Sequence, residues 1–178
     1  MTTIELPCDL GDGLRLRWAT PADADDLAAF NIEMHSDNEP ETWLGEWTKD
    51  LMHGRHPTTS AADFTVVVDT RTDKIVSSLG TISQRWTYAG IEFGVGRPEL
   101  VATHPDYRRR GLVRAQMDAV HALSAARGEL AQFITGIPWY YRMFGYEMAP
   151  DLGGGRLMPI PNNRPKKKEG DDEQKPAY

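Results

Sequence analysis

Three arginines followed by a glycine, Arg108-Arg109-Arg110-Gly111, are the residues of this sequence best suited to binding an anion. They precede a strong helical pattern, and the first amides of a helix have no intrahelical partner and carry positive potential. Gly111 has no β-carbon to keep a phosphate from the backbone. Guanidinium groups add charge-assisted contacts to phosphate oxygens. The segment predicts a phosphate cradle, and the segment alone leaves open a basic helix start exposed to water.

Other phosphate and metal motifs are missing from the sequence. It has no Gly-x-x-x-x-Gly-Lys-Ser/Thr run, which excludes a P-loop. No Gly-x-Gly-x-x-Gly follows a predicted strand, which weighs against dinucleotide binding. The five histidines lack ligand spacing, and the single cysteine, Cys8, excludes a cysteine-rich site. We therefore predict no metal and interpret Cys8 as an unreactive thiol.

Hydrophobic periodicity predicts the elements that position the arginine segment. A first strand spans Leu14–Trp18, and a helix begins after Thr20, with Asp23 completing a capping box. A second helix places Trp43 and Trp47 on one face, which we expect to be buried.

Three strands are predicted next: Phe64–Asp69, Ile75–Tyr88 and one that starts at Ile91. Pro98 is expected to interrupt the third, because proline has no amide hydrogen to donate, with pairing resumed over Leu100–Thr103.

The helix that follows the arginines should end at Arg127-Gly128. We then expect a strand over Leu130–Thr135, a short helix over Trp139–Phe144 and a last strand after Tyr146. The resulting order, βααβββαβαβ, predicts an α/β (α+β) domain with a mixed central sheet flanked by helices.

Composition bounds the organisation of the chain. The 178 residues fit one domain, residues 1–158, followed by a charged, proline-rich linker or tail over residues 159–178 that could lead to a further domain. A net charge of −6 argues against a nucleic-acid partner. No apolar run is long enough to span a membrane and the start does not resemble a signal peptide, so we expect no membrane partner and a cytoplasmic location.

Two stretches carry a family resemblance. Residues 101–114, Val-Ala-Thr-His-Pro-Asp-Tyr-Arg-Arg-Arg-Gly-Leu-Val-Arg, resemble motif A of the GNAT acetyltransferases, Arg/Gln-x-x-Gly-x-Gly/Ala. Arg108 and Gly111 match it, whereas Val113 replaces the final small residue. The Arg-Arg-Arg-Gly-Leu-Val-Arg form is similar to the Eis-like branch. Residues 136–147, with a tyrosine four residues before Gly145-Tyr146, resemble motif B.

The resemblance implies a GNAT fold, acetyl-CoA as co-substrate and a set of site residues. The strand that carries Val101, Ala102 and Thr103 would pair with the pantetheine arm and polarise the acetyl carbonyl. The coenzyme phosphates would be bound by Arg108, Arg109, Arg110, Gly111, Leu112, Val113 and Arg114. Tyr141 would be the general acid that protonates the leaving thiolate; Tyr140 and a core-packing role for Tyr141 are the alternatives.

The predicted function is transfer of an acetyl group to a small-molecule or peptide amine by direct attack in a ternary complex. A base is required, because an amine with a pKa of about 10 is protonated at neutral pH. Glu92 and Glu99 lie near the relevant strand, but a surface role is the favoured interpretation of each. The Eis-like branch implies a carboxylate from a separate C-terminal domain. A non-catalytic CoA-binding or scaffolding module is the alternative function, and a homo-oligomer or an added domain in cis stays open.

Overall fold

A computed structural model describes residues 5–137 and 139–149. The chain divides after Glu147 into two units, and the fold and site below belong to the first. The predicted 158/159 boundary lies outside the described residues, as does most of the strand expected after Tyr146. One six-stranded sheet runs in sequence order: β1 (Cys8–Gly11), β2 (Leu14–Trp18), β3 (Phe64–Asp69), β4 (Lys74–Tyr88), β5 (Ile91–Thr103) and β6 (Ala131–Gln132). Adjacent strands are antiparallel except for β6, which is parallel to β5.

Within the described part of the chain, three α-helices cover the two faces of this sheet: α1 (Ala24–His35), α2 (Thr42–Met52) and α3 (Leu112–Ala126). All six residues of β3 are buried. Val66 and Val68 belong to the core cluster of α1 and α2, whereas Val67 packs in a second cluster with Leu112 of α3. Burial on both faces explains the nearly continuous apolar run of β3, since neither face meets solvent. The predicted mixed sheet with flanking helices is confirmed.

The entrance to α1 follows its sequence signature. Pro21–Asp23 form a single 3₁₀ turn with the predicted capping box, in which the Asp23 carboxylate accepts hydrogen bonds from the amide and hydroxyl of Thr20 at 2.7 and 2.9 Å. Arg17 binds the same carboxylate through two bonds of 2.6 and 2.8 Å. This bidentate pair joins the end of β2 to the start of α1.

Two predictions about the outer elements were wrong. The sequence analysis missed β1, whose Gly11 and neighbouring Asp12 give no strand signal; its pairing with β2 makes it a strand. Trp43 is 59% exposed rather than buried and stacks on Trp47 at 6.3 Å between ring centroids. The buried face of α2 instead carries Leu44, Gly45, Thr48, Leu51 and Met52.

Pro98 does not interrupt β5, contrary to the prediction. It lies opposite Thr81 in the part of the β4–β5 register that runs without a break from Gly80↔Glu99 to Tyr88↔Ile91. The carbonyl groups of Gly94 and Gly96 accept hydrogen bonds from the segment around β6, and by strand alternation the Pro98 nitrogen points to that same side. Since β6 pairs only with Val95 and Gly96, the missing amide hydrogen has no ladder partner to lose.

The fork between β5 and β6 is the feature of the sheet that makes room for a ligand. A strand was predicted over Leu130–Thr135, but only Ala131–Gln132 form one. The pairing ends there because β5 and the segment after β6 separate beyond Gly96. The second half of β5 is therefore left with a free edge on the β6 side.

Candidate active site

A β-bulge at Leu100 changes which backbone groups of β5 face the fork. The register passes from Gly80↔Glu99 to Ser78↔Ala102, so β5 carries one extra residue, and Leu100 adopts a left-handed φ of 53°. Before the bulge, the even-numbered residues present their backbone groups to the β6 side, as the bonds to Gly94 and Gly96 show.

Beyond the bulge the odd-numbered residues face the fork. The amide of His104 donates to the carbonyl of Val76 at 2.9 Å, so the even-numbered positions now face β4. The carbonyl of Thr103 correspondingly accepts from Nε of Arg108 on the open side at 3.2 Å. The backbone N–H and C=O of Val101 thus lie on the free edge, as the resemblance to motif A leads one to expect.

The turn before α3 presents a row of free amides. Arg109 and Gly111 both have left-handed φ values, 63° and 74°, which curl the chain into the helix start. Among the described residues no acceptor binds the amides of residues 109–114, and the first amide with a partner is that of Ala115, bound to the Gly111 carbonyl at 3.1 Å. No atom lies within 4 Å of a β-carbon built on Gly111, so one side of the turn is open. A run of unpartnered amides at a turn into a helix is suited to binding an anion.

The four arginines of motif A differ in how they are held. None of them forms an ion pair with a described carboxylate, so their positive charge is not neutralised locally. Arg110 lies over the ring of Tyr107 at 5.2 Å and donates to the Asp106 carbonyl, which places its side chain outside the cleft wall. Arg114 lies over Phe144 at 5.0 Å and donates to the carbonyl of Met143 at 3.3 Å. Arg114 thereby ties α3 to the motif B segment.

Motif B forms the opposite wall. Tyr141–Phe144 make a 3₁₀ turn that Gly145 closes with a φ of 91°, close to the predicted short helix. Tyr141 packs against the β4–α3 cluster of Leu79, Met117 and Val120. Burial, with smaller contributions from Tyr140 and the charge of Glu99, raises the pKa of Tyr141 to about 12. The phenol is therefore fully protonated at neutral pH, which a proton donor requires.

These parts enclose one cleft of roughly 730 Å³. It brings together the free edge of β5, the arginine turn, the start of α3, the motif B segment and the end of α1. Of the predicted site residues it is lined by Val101, Ala102, Thr103, Arg108, Arg109, Gly111, Leu112, Val113, Arg114 and Tyr141, with Tyr140 beside them. Every predicted site residue except Arg110 therefore lines this cleft. Arg110 contributes only its backbone amide, which is one of the unpartnered amides of residues 109–114.

The two carboxylates considered as bases lie in different surroundings. Glu92 is an exposed partner of Arg85 on the β4–β5 hairpin. Glu99 directly precedes the bulge, is 19% exposed and is ion-paired with Arg97. Burial raises the pKa of Glu99 in spite of this pair, and its charge in turn raises the pKa of Tyr141. Glu99 is therefore close enough to Tyr141 to influence its phenol, but its side chain is not among those that line the cleft.

His35, which the sequence analysis did not single out, also lines the cleft, at the C-terminal end of α1. Burial lowers its pKa, so the ring is neutral at pH 7. Its Nε2 atom is buried without a hydrogen-bond partner among the described residues. Its helical position gave no signal in the sequence, since only the tertiary packing brings α1 against β5.

Comparison with protein families decides the assignment of this fold and cleft. Residues 15–149 match the model of the acetyltransferase (GNAT) domain, which covers more than half of the chain. The chain is a GNAT acetyltransferase domain. A comparison with curated proteins gave no match.

Solved structures show the same fold at low identity. An acetyltransferase of Trypanosoma brucei is 21% identical over 82% of this chain and 99% of its own, with a TM-score of 0.59. AAC(6')-Iy, solved with the bisubstrate analog CoA-S-monomethyl-acetylneamine, is 11% identical over 82% of this chain and 98% of its own, at 0.60. A GCN5-related N-acetyltransferase of Kribbella flavida is 24% identical and matches at 0.60, but this chain spans only 33% of it.

The GNAT domain accounts for the chemistry of the cleft. GNAT domains transfer acyl groups from acetyl-CoA, and the free amides with unpaired guanidinium groups suit a pyrophosphate. Within residues 5–137 and 139–149 no cluster of three or more metal-binding side chains occurs. None of the described helices is long and apolar enough to cross a membrane.

Proposed function

We propose that this GNAT domain acetylates a primary amine by direct attack on acetyl-CoA in a ternary complex. The observation that carries the proposal is the convergence, on one cleft, of a free anion-binding turn, the free edge of β5 at Val101 and the protonated phenol of Tyr141. These elements supply cofactor binding, polarisation of the acetyl carbonyl and proton donation to the leaving thiolate, and a base completes the set.

The residues divide the work by position. The amides of residues 109–114 and the Arg109 guanidinium bind the pyrophosphate, because the partial charges of the amides and the full charge of the guanidinium lie together at the start of α3. The Val101 amide donates to the acetyl oxygen, where negative charge develops during attack. A fixed donor at that atom lowers the barrier without a reorganisation cost.

Two proton transfers, from the neutral amine and to the sulfur, balance the reaction, and proton exchange with solvent afterwards returns Glu99 and Tyr141 to their starting states. The amine nitrogen forms a bond to the acetyl carbon and the carbon–sulfur bond breaks. Glu99 receives a proton from the amine, since its raised pKa makes it a stronger base than an ordinary glutamate. Tyr141 donates its hydroxyl proton to the departing sulfur. The neutral ring of His35 is the competing base, and the pH profile separates the two.

For the acceptor we propose a small-molecule amine, and the Arg-Arg-Arg-Gly-Leu-Val-Arg turn supports an Eis-like relationship. The proposal is tested by supplying acetyl-CoA with a panel of amines and following release of free coenzyme A. Turnover that is lost in Tyr141→Phe, with coenzyme A affinity retained, supports it. Tight acetyl-CoA binding without turnover of any amine would instead indicate a binding module.

A further inference from the structure

A chain of buried hydrogen bonds joins the two N-terminal helices to the bulge of β5. Nδ2 of Asn31 donates to the hydroxyl of Thr48 at 3.1 Å, and Oδ1 of Asn31 accepts from the hydroxyl of Ser78 at the same distance. The Ser78 hydroxyl also lies 3.1 Å from the carbonyl oxygen of Leu100, so its one hydrogen is shared between these two acceptors. Asn31, Thr48 and Ser78 are each 0% exposed.

The last acceptor in this chain is the extra residue of the bulge. Leu100 has a φ of 53°, a conformation that a leucine avoids unless its surroundings hold it. Its carbonyl faces β4, opposite the point where the register skips Leu79, so regular ladder pairing is broken there. The Ser78 hydroxyl supplies a donor at that point.

The surroundings argue for a specific role. Asn31 and Ser78 lie beside an apolar cluster that includes Leu27, Phe30 and Leu100. Buried polar groups contribute little net stability compared with apolar groups of the same shape, but they restrict the geometry because a buried acceptor left without any donor is costly. Apolar side chains would be enough if these positions only had to fill space in the core.

Building on the proposed function, we propose that Asn31 and Ser78 are positioning residues that hold the Leu100 bulge, so that the amide of Val101 points at the acetyl oxygen. Without the Ser78 hydroxyl the left-handed residue relaxes towards an ordinary strand. Without the bulge, the backbone groups of β5 keep one alternation along the whole strand. The Val101 amide then points towards β4 instead of the fork.

The test reads the acetyl carbonyl itself and needs no acceptor. The carbonyl stretch of [1-13C]acetyl-CoA is measured by isotope-edited infrared difference spectroscopy, free and bound to the full chain. Binding to the unmodified protein should lower the frequency. Ser78→Ala should return it most of the way to the free value, while the affinity for coenzyme A changes less than about twofold, because the amides of residues 109–114 are untouched. With an accepted amine, kcat should fall about tenfold or more at constant KM for acetyl-CoA.

Two further variants keep the result interpretable. Ser78→Cys leaves no cavity and offers only a weak donor, so it should behave like Ser78→Ala, which covers the case that alanine unfolds the chain. Thr81→Val is the matched control: Thr81 is on the same strand, is 1% exposed and has a hydroxyl without a partner among the described residues. It should keep the bound frequency of the unmodified protein.

The outcomes separate the inference from the proposed function. An unchanged carbonyl frequency and kcat in both Ser78 variants would overturn the positioning role while leaving acetyl transfer intact. A loss of coenzyme A affinity equal to the loss of rate would overturn it too, since the effect would then be general unfolding of the cleft. No frequency shift in the unmodified protein would overturn carbonyl polarisation by Val101, and with it the proposed mechanism.

Discussion

Gly136 lies directly against the ring of Tyr141. A β-carbon built on Gly136 would stand 2.8 Å from Cε2 of that ring, well inside van der Waals contact, and the φ of Gly136 is 157°. The loop after β6 therefore positions the phenol by close backbone approach, which only a residue without a side chain allows. This contact allows the placement of the proposed acid to be tested through a glycine that takes no part in the reaction.

Gly136→Ala should displace the Tyr141 ring and lower kcat about tenfold without weakening coenzyme A binding, because the acid moves and the phosphate site does not. Steady-state kinetics and calorimetry check the two halves. Gly54→Ala is the control, since Gly54 also has a left-handed φ but nothing within 4 Å of the added carbon. A variant with unchanged kcat would show that the ring adjusts freely.

Tyr141→Phe should lower kcat roughly 100-fold, the usual contribution of a positioned proton donor, and leave the affinity for coenzyme A intact. With a pKa of about 12, Tyr141 should cause no alkaline loss of activity below about pH 10 in the unmodified protein. Tyr140→Phe is the matched comparison. If Tyr140→Phe lost activity and Tyr141→Phe kept it, the acid would be the wrong tyrosine.

Glu99→Gln should be slower than the unmodified protein and should lose the acidic limb of the pH profile of kcat/KM. Burial raises the pKa of Glu99, so the unmodified protein loses activity as the pH falls through a value above the usual 4.3 of a glutamate. His35→Gln is measured beside it. A limb that survives in Glu99→Gln and vanishes in His35→Gln would assign the base to the histidine.

Arg109→Ala should weaken coenzyme A binding about tenfold and reduce its salt dependence, because a charge-assisted phosphate contact is lost. Arg110→Ala should lose less, since the Arg110 side chain is held over Tyr107 outside the cleft. Calorimetry at two salt concentrations gives both comparisons. Equal losses in the two variants would contradict the different placement of these side chains.

Asp23→Asn should lower the free energy of unfolding by about 1–2 kcal/mol at pH 7. The Arg17 guanidinium lowers the pKa of Asp23 to about 2, so this stability is present above the unfolded pKa of about 4 and is lost as the pH falls towards 2. Urea unfolding at pH 7 and pH 3 should therefore show a difference that shrinks in acid. Asp25→Asn, at an exposed pair with Lys49, should change little.

The sequence predicted local features well because local rules govern them. The capping box at Thr20, the helix stop at Gly128 and the turn at Gly145 each depend on neighbours a few residues away. Motif A and motif B could be found because the characteristic residues of each lie within a short segment of the sequence. The exposed Trp43 was predicted wrongly because helical spacing gives a face but not which face meets the core.

Sequence alone determined that this chain has an arginine-rich helix start and a GNAT pattern, since both depend on residue types at close spacing. Only the tertiary structure decided where the site lies. The bulge at Leu100, the fork beyond Gly96 and the approach of His35 and Glu99 arise where strands and helices distant in sequence meet. The bulge changes which backbone groups of β5 face the fork, and it exists only through the register between β4 and β5. Register depends on both strands and cannot be read from one of them.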